Sequence, residues 1–314
     1  MLKKKTVAVI DVGSNSIKLL VARKVHNNKF LEKLFSKTYE TRISSGIGQR
    51  MLTLTDEAIS AGCQSIVDLV KAAKDYDPNS IKIVATSAVR DATNGLEFVG
   101  QIKQATGIEL KILSGIEEAK FIGKGLRCDP LLAEIERFIQ IDIGGGSLEL
   151  IRINKDSIEK ACSLQLGAVR MNEKFLSDRT RAVDSKTEAN IRDHVFKSIA
   201  ESGFSFEPTD DPLVVTGGAF SVIRSILRAE SKETAENASQ TLYKDDIAEL
   251  KEKLCNLSLD ERRNLPGLPL ARADIMPAAL ITIVALLDLS GREVITQSSY
   301  NLRFGIAAVL LEKY

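Results

Sequence analysis

The sequence has little with which to do thiol, imidazole or zinc chemistry. Its four cysteines, Cys63, Cys128, Cys162 and Cys255, lie far apart with no Cys-x-x-Cys spacing, and its two histidines are His26 and His194. Zinc sites and histidine-based triads are thereby set aside, and a reduced, cytoplasmic protein is expected. An excess of charge is also missing: 43 Lys and Arg against 42 Asp and Glu leave a formal +1. No general positive field exists to hold a nucleic acid, so any polyanion must be met by a local patch. Long hydrophobic runs are absent too. The stretch Val7 to Ile10 behind the basic start Lys3-Lys4-Lys5, read as a solvated terminus, is too short for a signal-peptide core. Ala278 to Leu287, interrupted by Thr282, falls well short of the roughly 20 residues that span a bilayer, so no membrane partner is expected.

What is present is enough for two cores, since 314 residues with 44% hydrophobic content exceed a typical single domain. Thr6 to Ile10 is rich in β-branched residues and ends in Asp11-Val12-Gly13-Ser14-Asn15-Ser16, after which a second apolar run, Ile17 to Val25, begins at once. That is strand, tight turn, strand. It differs from a P-loop or a dinucleotide-binding turn, in which the glycines open a helix. Residues 138–151 repeat the design around Asp142-Ile143-Gly144-Gly145-Gly146-Ser147, and an offset of 131 superposes Asp11 on Asp142, Gly13 on Gly144 and Ser16 on Ser147. The chain therefore reads as two related halves. Helices are expected over Asp56 to Ala73, Glu97 to Ala105, Glu117 to Leu126, Thr187 to Ala200, Phe220 to Leu227, Asp245 to Leu254, Leu270 to Leu287 and Leu302 to Glu312. Further strands are expected over Ile81 to Ala85, Glu109 to Leu113, Ile158 to Leu164 and Pro212 to Val215. Thr86 to Asp91 reads as a turn, and the polar stretch Ala229 to Ala238 as an exposed, mobile loop.

Two such turns suit a phosphate and its metal. Backbone N–H groups around Gly13, Ser14, Asn15 and Ser16, and around Gly144, Gly145, Gly146 and Ser147, can cradle phosphate oxygens. Asp142 and Glu149, with Asp11 as a third candidate, can hold Mg2+ or another divalent cation directly or through water. The turns are expected to face one another across a cleft between the halves. Ser114-Gly115-Ile116-Glu117 has the form of a capping box, which gives Glu117 a structural task. Its neighbour Glu118 has no such task, and the helix dipole favours its ionised form, so it is the candidate general base. Arg90, leaving a strand, is a candidate phosphate clamp. Gly217-Gly218 is a candidate nucleotide-contacting turn, and Lys18, Arg90 and Arg170 are candidates for a basic channel that binds a polyanion in a salt-dependent way.

Five ordered segments carry a family resemblance: Val9 to Ser16, Ala85 to Ala92, Ser114 to Ala119, Asp142 to Glu149 and Arg272 to Ile275. Together they resemble the motifs of the exopolyphosphatase/guanosine pentaphosphate phosphatase (Ppx/GppA) family in its short, two-domain form. The resemblance implies an α/β, actin-like (ASKHA) fold of two ribonuclease-H-like domains with an inter-domain active-site cleft. The domains would cover residues 1–127 and 128–300, with helix 301–314 packing back on the first. It also implies Mg2+-dependent hydrolysis of the terminal phosphoanhydride of linear polyphosphate or guanosine pentaphosphate. Glu118 would be the catalytic base, Asp142 and Glu149 the residues organising metal or water, and the glycines phosphate ligands. A homodimer is a family-level expectation, supported in the sequence by the apolar run Ile275 to Leu287 alone.

Two positions depart from the family pattern. Leu148 stands where a hydroxyl residue is usual, which would remove a ligand for phosphate or metal, and Phe304 stands where glutamate is usual, which would alter packing of the last helix. Two other functions remain open at this point. One is an ATPase or phosphotransferase on the same scaffold, with a nucleoside pocket near Gly217-Gly218. The other, motivated by Leu148, is a weakly catalytic sensor of guanosine tetra- or pentaphosphate.

Overall fold

In a computed structural model, the described residues are 5–25, 30–44, 52–155, 157–207, 210–231 and 240–313. Lys3 and Lys4 of the basic start, His26, and residues 232–238 of the expected mobile loop lie outside them. The chain divides into two compact units, residues 1–136 with 300–314, and residues 137–299.

The first unit begins with β1 (Thr6–Val12) and β2 (Ile17–Lys24), an antiparallel pair in which Asp11 stands opposite Lys18. Next come β3 (Leu31–Tyr39), α1 (Asp56–Lys74), β4 (Ser80–Ala85), α2 (Ser87–Asp91), α3 (Gly95–Thr106), β5 (Leu110–Ile112) and α4 (Gly115–Leu126). Thr55 caps α1 by accepting from the Ala58 N–H, with Asp56 and Glu57 in the first turn and Lys71 and Lys74 in the last, as the helix dipole favours. The sheet runs β3-β2-β1-β4-β5, with β4 and β5 parallel to their neighbours. Side chains alternate across a strand. Ala8, Ile10 and Val12 therefore join Ile59, Ile66, Phe98 and Ile102 in one core, while Asp11 and Lys18 belong to the opposite face.

The second unit repeats this plan. It contains β6 (Arg137–Ile143), β7 (Leu148–Asn154), β8 (Ser157–Leu164), α5 (Ala168–Phe175), α6 (Ser185–Ser202), β9 (Leu213–Gly217) and α7 (Gly218–Ser231). These are followed by β10 (Thr241–Tyr243), α8 (Lys244–Asn256), α9 (Leu259–Arg263), α10 (Met276–Ser290) and β11 (Val294–Gln297). Its sheet, β10-β11-β9-β6-β7-β8, is the first sheet's order with one added edge strand. Both are open, mixed sheets with helices, an α/β architecture. Ile139, Ile141, Ile143, Leu148 and Leu150 face the core shared with α5, α6, α8 and α10.

The last helix, α11 (Leu302–Leu311), belongs to the first unit and packs on α4, β1 and β2. The two helices approach so closely that a Cβ on Gly305 would sit 1.8 Å from the Phe121 carbonyl oxygen, and one on Gly125 would sit 2.2 Å from that of Asn301. Phe304 is buried, its ring centroid 4.3 Å from that of Tyr300.

Several expectations need correction. The helix expected over Leu270 to Leu287 is broken: Leu270–Arg272 is a 3-10 turn, and α10 starts at Met276 because Pro277 suits only a first helical turn. Thr86 to Asp91 contains a short helix rather than a turn. Ala229 and Glu230, expected in the mobile loop, lie in α7. From Met276 to Leu287 α10 is buried throughout, so its apolar run is interior to the second unit and gives no support for a dimer. Among the described residues, no helix is long and apolar enough to cross a membrane.

Candidate active site

In the first unit, three of the sequence motifs are tied together by hydrogen bonds. The four-residue turn 13–16 is closed by the Gly13 N–H donating to the Ser16 carbonyl at 3.1 Å. Ser14, Asn15 and Ser16 are all buried. The Ser14 and Ser87 hydroxyls are 3.0 Å apart, which joins the turn to the start of α2, and the Thr86 N–H donates to the Val12 carbonyl. The Asn15 amide bridges Glu40 at 2.6 Å and Arg42 at 3.2 Å. From α2, Arg90 Nη1 donates to Glu118 Oε2 at 2.9 Å and to the Leu113 carbonyl at 3.0 Å. The guanidinium thus holds Glu118 in one orientation, a pairing across 28 residues that no local pattern announced.

The capping box forms as the spacing suggested. The Ser114 N–H donates to Glu117 Oε2 at 3.0 Å, and the Glu117 N–H donates to Ser114 Oγ at 3.2 Å. Glu117 also accepts from Lys111 at 2.6 Å, and these donors pull its carboxyl down to about 2. Glu118, one residue on, is buried at 7% exposure. Adjacent glutamates therefore have separate environments.

Asp11 presents a different electrostatic problem. Its Oδ1 is buried without a hydrogen-bond partner, and burial pushes its carboxyl above the usual range, opposed by Lys18 across the hairpin and by Arg303. Arg303 reaches in from α11 and donates to the Leu19 carbonyl at 3.1 Å.

In the second unit the turn closes identically, the Gly144 N–H donating to the Ser147 carbonyl at 3.0 Å. The remaining carbonyls of this turn are taken by α5. Gly144 accepts from the Ala168 N–H, Gly145 from those of Val169 and Arg170, and Gly146 from Arg170 Nε at 2.9 Å. Since C=O and the following N–H point oppositely across a trans peptide, the N–H groups of Gly145, Gly146 and Ser147 are directed away from α5. An anion can use such a row of donors. The Arg170 guanidinium shapes the turn.

Asp142 and Glu149 are opposite one another in the β6–β7 ladder, and both are buried. Asp142 Oδ2 accepts from Thr216 Oγ1 at 2.5 Å, and Glu149 Oε1 accepts from Ser163 Oγ at 2.8 Å. Like charges directly opposite in an antiparallel pair repel, and a hard cation between them would offset that. Mg2+ asks for no more than one or two carboxylates, the rest being water and phosphate oxygen. The donor set fits it, although among the described residues no cluster of three or more His, Cys, Asp or Glu is present. Gly217 is at φ +106°, where a side chain is strained, and a Cβ there would meet the Ile143 carbonyl oxygen at 2.3 Å. Gly218 opens α7 directly and lies against the Arg272 guanidinium.

Leu148 does not occupy a ligand position. It is fully buried in the core on the face opposite Glu149, so a hydroxyl there would point away from the carboxylate pair. Thr216, Ser163 and the Arg90–Glu118 contact were missed by sequence reasoning. The one local signal was that Thr216 immediately precedes Gly217-Gly218.

Residues 20–314 match the model of the Ppx/GppA phosphatase family. An exopolyphosphatase from Cytophaga hutchinsonii superposes with a TM-score of 0.85 at 22% identity, covering 98% of each chain. An exopolyphosphatase-like protein gives 0.88 at 20% identity over 99% of this chain and 98% of that one. The Aquifex aeolicus member of the Ppx/GppA family gives 0.81 at 19% identity over 99% of each. At these identities the structures share the fold.

Proposed function

Since this chain belongs to the Ppx/GppA phosphatase family, we propose that it is an exopolyphosphatase, removing the terminal phosphoryl group of linear polyphosphate or guanosine pentaphosphate. The observation that carries this reading is the Asp142–Glu149 pair, two buried carboxylates directly opposite one another beside a turn of three glycines. Asp142 and Glu149 would hold Mg2+, which when bound supplies positive charge to the phosphate oxygens. The N–H groups of Gly145, Gly146 and Ser147 would bind the phosphate and disperse its charge, and the turn Gly13 to Ser16 of the first unit is a second candidate for that task. Glu118, steadied by Arg90, accepts a proton from water as the water oxygen bonds to the terminal phosphorus. The anhydride P–O bond breaks and its electron pair stays on the shortened chain.

Finer points belong to the same proposal. Each unit is a ribonuclease-H-like domain, and the pair makes an actin-like fold; the matching strand orders support this. Asp11, already beside Lys18 and Arg303, has less call for a metal than the second unit's pair. The protein works in the cytoplasm, in keeping with its free thiols. With Leu148 turned into the core, it no longer motivates a weakly catalytic sensor.

The test is Mg2+-dependent phosphate release from polyphosphate, guanosine pentaphosphate and ATP in parallel. Glu118→Gln should lower turnover of the preferred substrate by about 10²–10⁴-fold. Preference for ATP would replace this reading with an ATPase or phosphotransferase, and tight nucleotide binding without turnover would replace it with a sensor.

A further inference from the structure

The two carboxylates of the second unit are the middle of a longer polar row. Register places Ser163 opposite Glu149, Glu149 opposite Asp142, and Asp142 beside Thr216, so four adjacent strands, β8, β7, β6 and β9, contribute one residue each. Partners in register lie on the same face. Each outer hydroxyl donates to the carboxylate next to it, Thr216 to Asp142 at 2.5 Å and Ser163 to Glu149 at 2.8 Å.

A third layer lies behind Thr216. Gln140 Nε2 donates to Thr216 Oγ1 at 2.9 Å, and both residues are completely buried. With Asp142 ionised, as a cation ligand must be, the directions of these bonds are set. An ionised carboxylate only accepts, so the single hydroxyl proton of Thr216 goes to Asp142, and its lone pair must face a donor. Turning the Gln140 amide over would set two acceptors against one proton. The amide nitrogen therefore faces Thr216, although this leaves Gln140 Oε1 buried without a partner. An arrangement that leaves a buried carbonyl unsatisfied in order to fix one hydroxyl is costly, and what it fixes is the orientation of Asp142.

We propose that Thr216, backed by Gln140, and Ser163 are positioning residues that bracket the Asp142–Glu149 pair and hold it ready for a divalent cation. This rests on the reading that the pair binds the cation of a phosphoanhydride hydrolase. By holding one oxygen of each carboxylate, the hydroxyls set the rotation of that group about its last bond. Such outer partners of metal-binding side chains are typically worth about 10–100-fold in affinity.

The test uses Mn2+ as the probe, with unbound Mn2+ counted by electron paramagnetic resonance on the purified full chain. Thr216→Val keeps the β-branched shape and removes the hydroxyl, both its donation to Asp142 and its acceptance from Gln140; it should weaken Mn2+ binding by about 10-fold or more and raise the Mg2+ concentration needed for half-maximal turnover. Thr216→Ser should restore both to within about threefold, as a returned donor requires. Ser163→Ala should act in the same direction as Thr216→Val. Melting temperature reports folding, and rescue by serine separates loss of the donor from loss of structure. If Thr216→Val and Ser163→Ala bind Mn2+ as the wild type does while Glu149→Gln does not, positioning is overturned and the metal reading stands. If Glu149→Gln also leaves Mn2+ binding unchanged, the reading beneath it falls and takes the positioning role with it.

Discussion

The same row of positions exists in both units, and its chemistry differs at nearly every place. In the second unit it reads Ser163, Glu149, Asp142, Thr216; in the first, the register gives Thr38, Lys18, Asp11, Val84. The backbone plan and the closing bond of the turn are shared, and only the aspartate is retained. In the first unit its neighbour is a lysine, and Lys18 and Arg303 oppose in part the burial that raises its carboxyl. In the second its neighbour is another carboxylate, and the Thr216 and Ser163 hydroxyls flank the pair. The two units share the scaffold and differ in electrostatics: beside one turn a carboxylate stands opposite a lysine, and beside the other two carboxylates stand opposite each other.

Removing the difference at its centre should have the largest effect. Glu149→Gln should lower Mg2+-dependent phosphate release by about 10²–10³-fold. In the presence of a chelator it should nevertheless raise stability to urea by about 0.2–1 kcal/mol, because the cross-strand repulsion is gone. A fall in both quantities would mean that Glu149 is a structural acceptor for Ser163 and no more.

A transplant in the other direction sharpens the contrast. Val84 occupies in the first unit the place of Thr216, and Asp11 Oδ1 is there without a donor. Val84→Thr should be nearly neutral, within about 0.5 kcal/mol in urea denaturation, because the new hydroxyl meets the orphaned oxygen. A hydroxyl left unpaired at that buried site would lose about 1–3 kcal/mol instead.

The smallest effect separates the two glutamates of the first unit. Glu117, partly exposed, is held at about 2 against an ordinary 4.5. A lowered folded value means that its stabilisation is complete above pH 4.5 and is lost as the pH falls towards about 2. Glu117→Gln should lose about 0.5–1 kcal/mol at pH 7, since solvent screens an exposed cap and its ion pair. Near pH 2 variant and wild type should unfold at the same urea concentration, with phosphate release at neutral pH unaffected.

Local chemistry was legible in the sequence. The two hairpins, their offset of 131 and the Ser114–Glu117 box are all written within about a dozen residues, and the structure has each. Whatever depends on register or on distant partners was not. Nothing in the chain says that Thr216 comes beside Asp142, 74 residues away, or Arg90 beside Glu118. The short strands β10 and β11 carry too few residues for a period to emerge, and α5 has only eight. Leu148 misled for a related reason: its neighbour Glu149 stands opposite Asp142, and in a strand the next residue belongs to the other face.

The packing of α11 has a consequence for how the molecule is made. The second unit is continuous, residues 137–299, whereas the first needs residues 300–314 to cover β1 and β2. During synthesis the later unit therefore has its whole sequence available while the earlier one still waits for its closing helix. Birth order and completion order are reversed, and until residues 300–314 leave the ribosome the hairpin bearing Asp11 lacks both its cover and Arg303.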